Sequence, residues 1–159
     1  VSGHAIEEGP YRYYLRRAWG ADLDRLAWIM LNPSTADATT DDPTIRRCIR
    51  FTQREGYAGM IVVNLFALRA TNPAGLHDHQ DPVGPRNRRI VDGALHRADA
   101  AVAAWGATVD RHPAAGPERD YALAVAARHH RIVYDLGTTK AGHPRHPLYV
   151  AADTPLHAT

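Results

Sequence analysis

The chain has 159 residues, 45% of them hydrophobic, and a formal net charge of +2, which fits one domain with a sizeable core and leaves no room for two. Its single cysteine, Cys48, excludes an internal disulfide framework and points to a reducing, cytoplasmic setting. No apolar run approaches the roughly 18 residues of a membrane helix, and the opening Val1-Ser2-Gly3-His4 lacks a basic stretch followed by a hydrophobic one, so no membrane partner and no secretory leader are expected.

In chain order, Tyr11 to Leu15 is aromatic-rich and is predicted as a strand at a sheet edge. Leu26 to Leu31 is a continuous apolar run ended by Asn32-Pro33, which suits a strand buried on both faces of a parallel sheet. A helix follows, with Asp41 or Asp42 as N-cap, Pro43 at its first position and Gly56 at its end. Its inner face takes Ile45, Cys48, Ile49 and Thr52, which makes Cys48 a packing residue rather than a nucleophile. Met60 to Asn64 is a second buried strand. Leu65 to Pro85 carries loop signals throughout, and a loop of that length points to function or mobility. Arg86 to Ala98 is a helix with Ile90, Val91, Ala94 and Leu95 inward. Ala100 to Trp105 is a third buried strand, closed by Gly106. Pro117 to Arg128 is a helix with Tyr121, Leu123, Ala124 and Ala127 as its apolar part. Arg131 to Leu136 is a fourth strand, and a loop from Gly137 to Pro147 follows. This alternation predicts a three-layer α/β/α sandwich around a central, mainly parallel, four-stranded sheet.

In an open sheet of this kind, ligands bind beyond the C-terminal ends of the strands. Three strands run there into polar residues: Asn32-Pro33-Ser34-Thr35, Asn64, and Gly137-Thr138-Thr139-Lys140 on to His146. Each has a structural alternative, since Asn32 can shape a turn, Asn64 can cap a loop and His146 can be a satisfied core histidine. Their convergence on one sheet edge is what argues for a site. Lys140 is the only lysine, so nearly all positive charge is guanidinium, through composition bias or through contact with phosphates.

Met30-Leu31-Asn32-Pro33-Ser34 resembles the first motif of the uracil-DNA glycosylase superfamily, which is Gly-any-Asn-Pro-Gly in its mismatch-specific and single-strand-selective branches. Val62-Val63-Asn64-Leu65 is similar to the strand whose last asparagine reads the base, and His146-Pro147-Leu148-Tyr149 is similar to the second motif, His-Pro-Ser. Leu31, Ser34 and Leu148 depart from the superfamily's two glycines and its phosphate-gripping serine. Nearly the whole chain also resembles a bacterial and phage family of unknown function.

The superfamily resemblance implies a glycosylase-like domain that binds DNA or a nucleotide, accepts a flipped or unpaired base and hydrolyses its N-glycosidic bond without cofactor or metal. In that reading Asn32 orients water, since a neutral amide is no strong base, and His146 donates a hydrogen bond to the departing base. Asn64, Phe66 and Pro33 form the base pocket, and Ser34, Thr35, Arg69, Lys140 and Arg145 contact phosphates, with Arg86, Arg88 and Arg89 as further candidates. Phe51 is a second aromatic candidate for stacking, with core packing as its alternative.

The same residues leave other readings open. The pocket could bind a nucleotide or modified base without cutting it, or hydrolyse a free nucleoside or nucleotide. A metal enzyme would use His77, Asp78, His79 and Asp81, or His143 and His146, although neither spacing is a recognised site. A serine triad is weaker, because Ser2 and Ser34 are the only serines and no nucleophile-elbow sequence surrounds them.

Overall fold

A computed structural model describes all of residues 1–159. Strands β1 (Ser2–Glu8), β2 (Tyr11–Ala18), β3 (Arg25–Met30), β4 (Gly59–Asn64), β5 (Ala100–Ala103), β6 (Val133–Asp135) and β7 (His157–Ala158) form one mixed sheet in the order β1-β2-β4-β3-β5-β6-β7. Helices α1 (Pro43–Arg54), α2 (Asn87–Arg97) and α3 (Ala115–Arg128) complete the α/β fold. The four expected parallel strands are its middle, β4-β3-β5-β6. The sheet is nonetheless seven-stranded rather than four-stranded, because antiparallel strands extend both sides.

The strand expected at the edge, Tyr11 to Leu15, is an inner one, paired with β1 on one side and β4 on the other. The cover strand β1 is mostly exposed and has no apolar alternation, so nothing in its composition separates it from a loop. The tight Gly9-Pro10 connection, with Gly9 at φ +56, folds it back on β2. β7 has only two exposed residues and is equally silent in sequence.

Side-chain alternation divides the core in two. Leu26, Trp28 and Met30 of β3, with Met60 and Val62 of β4, pack under α1 against Ile45, Cys48 and Phe51. Ala27, Ile29, Ile61 and Val63 face the other way, toward Ile90, Val91, Ala94 and Leu95 of α2 and Ala122, Val125 and Ala126 of α3. Helices thus cover both faces. The predicted inner face of α3 is corrected here: Leu123 is exposed, and Ala115, Ala122, Val125 and Ala126 are buried. An alanine-rich helix has small apolar residues all round, so periodicity cannot choose a face.

α1 begins as expected. Asp42 is the N-cap, its carboxylate accepting from Ile45 N at 2.9 Å, and Pro43 follows it. The long connection from Leu65 to Pro85 contains a 3-10 helix, Pro73–Asp78, capped by Asn72. Phe51 is core, 2% exposed and tilted against Trp28. No helix is long and apolar enough to cross a membrane.

Candidate functional site

The chain enters α1 on one face of the sheet, returns in β4, and then crosses through α2 to β5 on the other side of β3. The strand order therefore reverses at β3, and such a switch point leaves a crevice at the C-terminal strand ends. A cavity of about 650 Å³ lies there, within the range of small-molecule sites. Asn32, Pro33, Ser34, Thr35, Asn64, Arg145 and His146 all line it. These loops, expected from sequence to converge, do so.

The loop after β3 is tied to the continuation of β4: Leu65 N donates to Met30 O, Phe66 N to Leu31 O and Ala70 N to Pro33 O. This fixes Asn32. Its Nδ2 donates to Ala70 O at 2.7 Å and to Pro33 O at 3.0 Å. Both amide hydrogens are thereby engaged, and Oδ1 is left as an acceptor with no protein donor. That suits orientation of a water molecule.

Asn64 is 1% exposed, and neither its Oδ1 nor its Nδ2 has a partner. It lies on the cavity wall, on the α1 side with Val62. Its backbone carbonyl is bound by Asn87 Nδ2 at 2.8 Å, which also donates to Leu65 O. The strand end is thus locked from α2 while the side-chain amide stays unpaired. Buried amides are ordinarily satisfied, and an unpaired donor and acceptor beside a cavity have the chemistry to engage a planar group with matching atoms.

His146 precedes a short 3-10 turn, Pro147–Tyr149, and its Nδ1 accepts from Leu148 N at 3.2 Å. An accepting Nδ1 places the proton of the neutral ring on Nε2. Burial lowers the pKa from 6.5 to about 4, against the opposing field of Asp42, so the ring is a neutral donor at physiological pH. A neutral imidazole can stabilise charge developing on a ligand oxygen. Gly106, at φ +84, lets the β5 loop pass close to this ring, and a Cβ there would meet His146 Cβ at 3.4 Å.

Three expected contacts are not on this wall. Phe66 is fully buried and packs edge-on to His112 at 4.9 Å beside a separate cavity of about 130 Å³: the alternation breaks where β4 ends, and Leu65 and Phe66 both pack in the α2-side core. Arg69 pairs with Glu7 and donates to Ala36 O at 3.1 Å; it braces a loop. Lys140 is exposed and outside the lining. Among the further phosphate candidates, Arg86 pairs with Glu8 at 3.2 Å, and Arg88 forms a forked pair with Glu118 at 2.8–3.1 Å. No three His, Cys, Asp or Glu side chains come together as a metal-holding group: His143 binds Asp110 at 2.6 Å, and His77 stacks on His112. Cys48 is fully buried, and burial raises its thiol pKa.

Three wall residues were missed by sequence reasoning. Arg12 is 2% exposed, its Nη1 donating to Ala36 O at 3.0 Å and its Nε without a partner. Trp105 Nε1 is likewise buried and unpartnered. Asp42 adds a carboxylate already bound by the amides of Ile45 and Ala36. Arg12 was hidden because its partners, the Ala36 carbonyl and the Asp42 carboxylate, lie in the segment after β3, far along the chain.

A family model described as "Protein of unknown function (DUF1643)" matches residues 12–148. The chain belongs to that family. The matched segment runs from Arg12 to Leu148 and so includes every wall residue named above. Neither a curated protein nor a solved structure matches the chain significantly.

Proposed function

We propose that this chain recognises a nucleobase in the switch-point cavity and hydrolyses its N-glycosidic bond, in the manner of the uracil-DNA glycosylase superfamily that its motifs resemble. The observation that carries the reading is the buried, unpartnered amide of Asn64 on the same cavity wall as the neutral donor His146 and the free acceptor of Asn32. A base edge offers the donor and acceptor that Asn64 lacks. In the reaction, water held by Asn32 Oδ1 adds its oxygen to C1′ of the sugar. The C1′–N bond breaks and the base leaves with the electron pair; one proton of the water stays in the new C1′ hydroxyl and the other passes through solvent to the base. His146 Nε2–H donates to the base oxygen on which charge collects. One such donor is typically worth roughly 2.7–4 kcal/mol.

Aligned on Asn32-Pro33, the superfamily's close-approach glycine falls on Met30 rather than Leu31, and Leu148 stands where the superfamily has a phosphate-gripping serine. Leu31 is buried in the wall, and Leu148 is 40% exposed at the cavity; neither can bind a phosphate. Together with the paired Arg69, Arg86 and Arg88, this favours a second reading over excision from long DNA: a free nucleoside or nucleotide as substrate.

The test uses labelled single- and double-stranded oligonucleotides carrying uracil, hypoxanthine, xanthine or hydroxymethyluracil, and the corresponding free nucleosides and nucleotides, with release of free base as readout. Release is expected from at least one substrate and should fall by about 100-fold or more in His146→Ala, in line with loss of one such donor, and strongly in Asn32→Ala. Binding without release by the wild type would reduce the protein to a base-binding module. No binding of any nucleobase compound would end the reading.

A further inference from the structure

The cavity is long and its two ends differ in chemistry. Arg12 stands on β2 and Trp105 at the tip of β5, with β4 and β3 between. Three strand spacings separate them, about 14 Å. A base alone covers little more than one such spacing; base, sugar and phosphate in line cover most of three. The β5 end offers a neutral donor, His146 Nε2, and Asn64 lies between the ends. The β2 end offers a guanidinium.

That guanidinium is incompletely used. Arg12 makes one hydrogen bond, to Ala36 O, and its Nε is buried and unpartnered. The carboxylate that acts on it most, Asp42, has its two oxygens turned to the amides of Ile45 and Ala36. Burial draws the Arg12 pKa down to about 10, which leaves it cationic at neutral pH. A buried cation without a bound anion is costly unless a ligand completes it.

We propose, as a deepening of the nucleobase reading and resting on it, that the occupant is a free nucleoside monophosphate whose terminal phosphate is held by Arg12. Burial decides for a terminal monoester. A phosphodiester in a nucleic-acid strand would have to bring chain in and out past a side chain that is 2% exposed, whereas a monoester ends there. Arg69, Arg86 and Arg88 are neutralised by Glu7, Glu8 and Glu118 and give a strand no free cation to follow.

Calorimetric titration would compare deoxyuridine, deoxyinosine and deoxyxanthosine, their 5′-monophosphates, and single-stranded decamers carrying the same bases. The catalytically disabled Asn32→Ala chain serves as the parent, and Arg12→Gln is added to it. Each monophosphate that binds should do so at least tenfold more tightly than its nucleoside. The preference should shrink as pH falls through about 6, where the phosphate loses its second charge, and vanish in Arg12→Gln with nucleoside affinity kept. If Arg12→Gln fails to fold, the pH dependence in the parent decides, and a flat ratio from pH 5 to 8 overturns the proposal. Nucleosides binding as tightly as monophosphates, or decamers binding more tightly, would also overturn it while leaving base recognition standing. No binding by any of the compounds would instead overturn base recognition itself.

Discussion

Asn64 ends a buried strand with an amide that binds nothing in the protein. Leaving such a group unpaired in a dry interior costs about 1–3 kcal/mol, and folding tolerates it only where another interaction compensates. Asn64→Leu is therefore expected to leave the urea midpoint unchanged or raise it, while base affinity drops by about tenfold or more. A drop in both would make the amide an ordinary packing element. His146 gives a second prediction. Its folded pKa of about 4 lies below its ordinary 6.5, so the unfolded chain takes up a proton here before the folded one does. The stability this ring contributes is complete above pH 6.5 and declines as pH falls from there toward 4. The urea midpoint measured from pH 7 to 4 should fall less steeply in His146→Phe than in the wild type. Catalysis that needs the neutral ring should show no titration of this group between pH 5.5 and 8. Asn32 and Asn64 were legible because each ends or follows an apolar run in a polar residue, and His146 because it lies in the polar loop that follows the last predicted strand. Arg12 was not legible, since its meaning depends on Ala36 and Asp42, which follow it by 24 residues or more.

At the scale of elements, the segment from Ser34 to Asp42 frames the cavity with little secondary structure of its own. Arginines of β2 and of the connection after β4 hold it: Arg12 and Arg69 both donate to Ala36 O, and Arg17 pairs with Asp41 at 2.9 Å and donates to the carbonyls of Asp37 and Thr40. Asp42 closes the segment by capping α1 and binding Ala36 N at 3.2 Å. Loss of a cap alone costs roughly 0.5–2 kcal/mol. Asp42→Ala removes a cap, a loop bond and the countercharge of Arg12 together. A loss at or above the top of that range is expected in chemical denaturation, and a loss below 0.5 kcal/mol would show that the loop is held without it. The elements around this segment were legible in unequal measure. α1, β3, β4 and α2 carry strong signals: a cap followed by proline, continuous apolar runs, an apolar stripe at helical spacing. α3 was legible as a helix but not in its orientation, because Ala122 and Ala126 differ from Ala124 and Ala127 only in what they pack against.

Across the whole molecule, the cavity exists because β3 lies between β4 and β5, so that consecutive crossovers leave in opposite directions. The chain order of strands and helices is written in local hydrophobic patterns, and with it came the parallel middle of the sheet, the burial of Cys48 and the gathering of three polar loop segments at one edge. Local patterns are legible because they reflect how each residue partitions between water and interior. The tertiary structure alone decided that β1 and β7 join the sheet, that Phe66 turns away from the cavity while Trp105 lies on its wall, and that Arg69, Arg86 and Arg88 are neutralised by glutamates distant in sequence. It also decided that Arg12 is buried. The physical reason is that pairing of strand edges and of charges depends on backbone groups and distances that every sequence shares. Which edge meets which is settled only when the whole sheet forms.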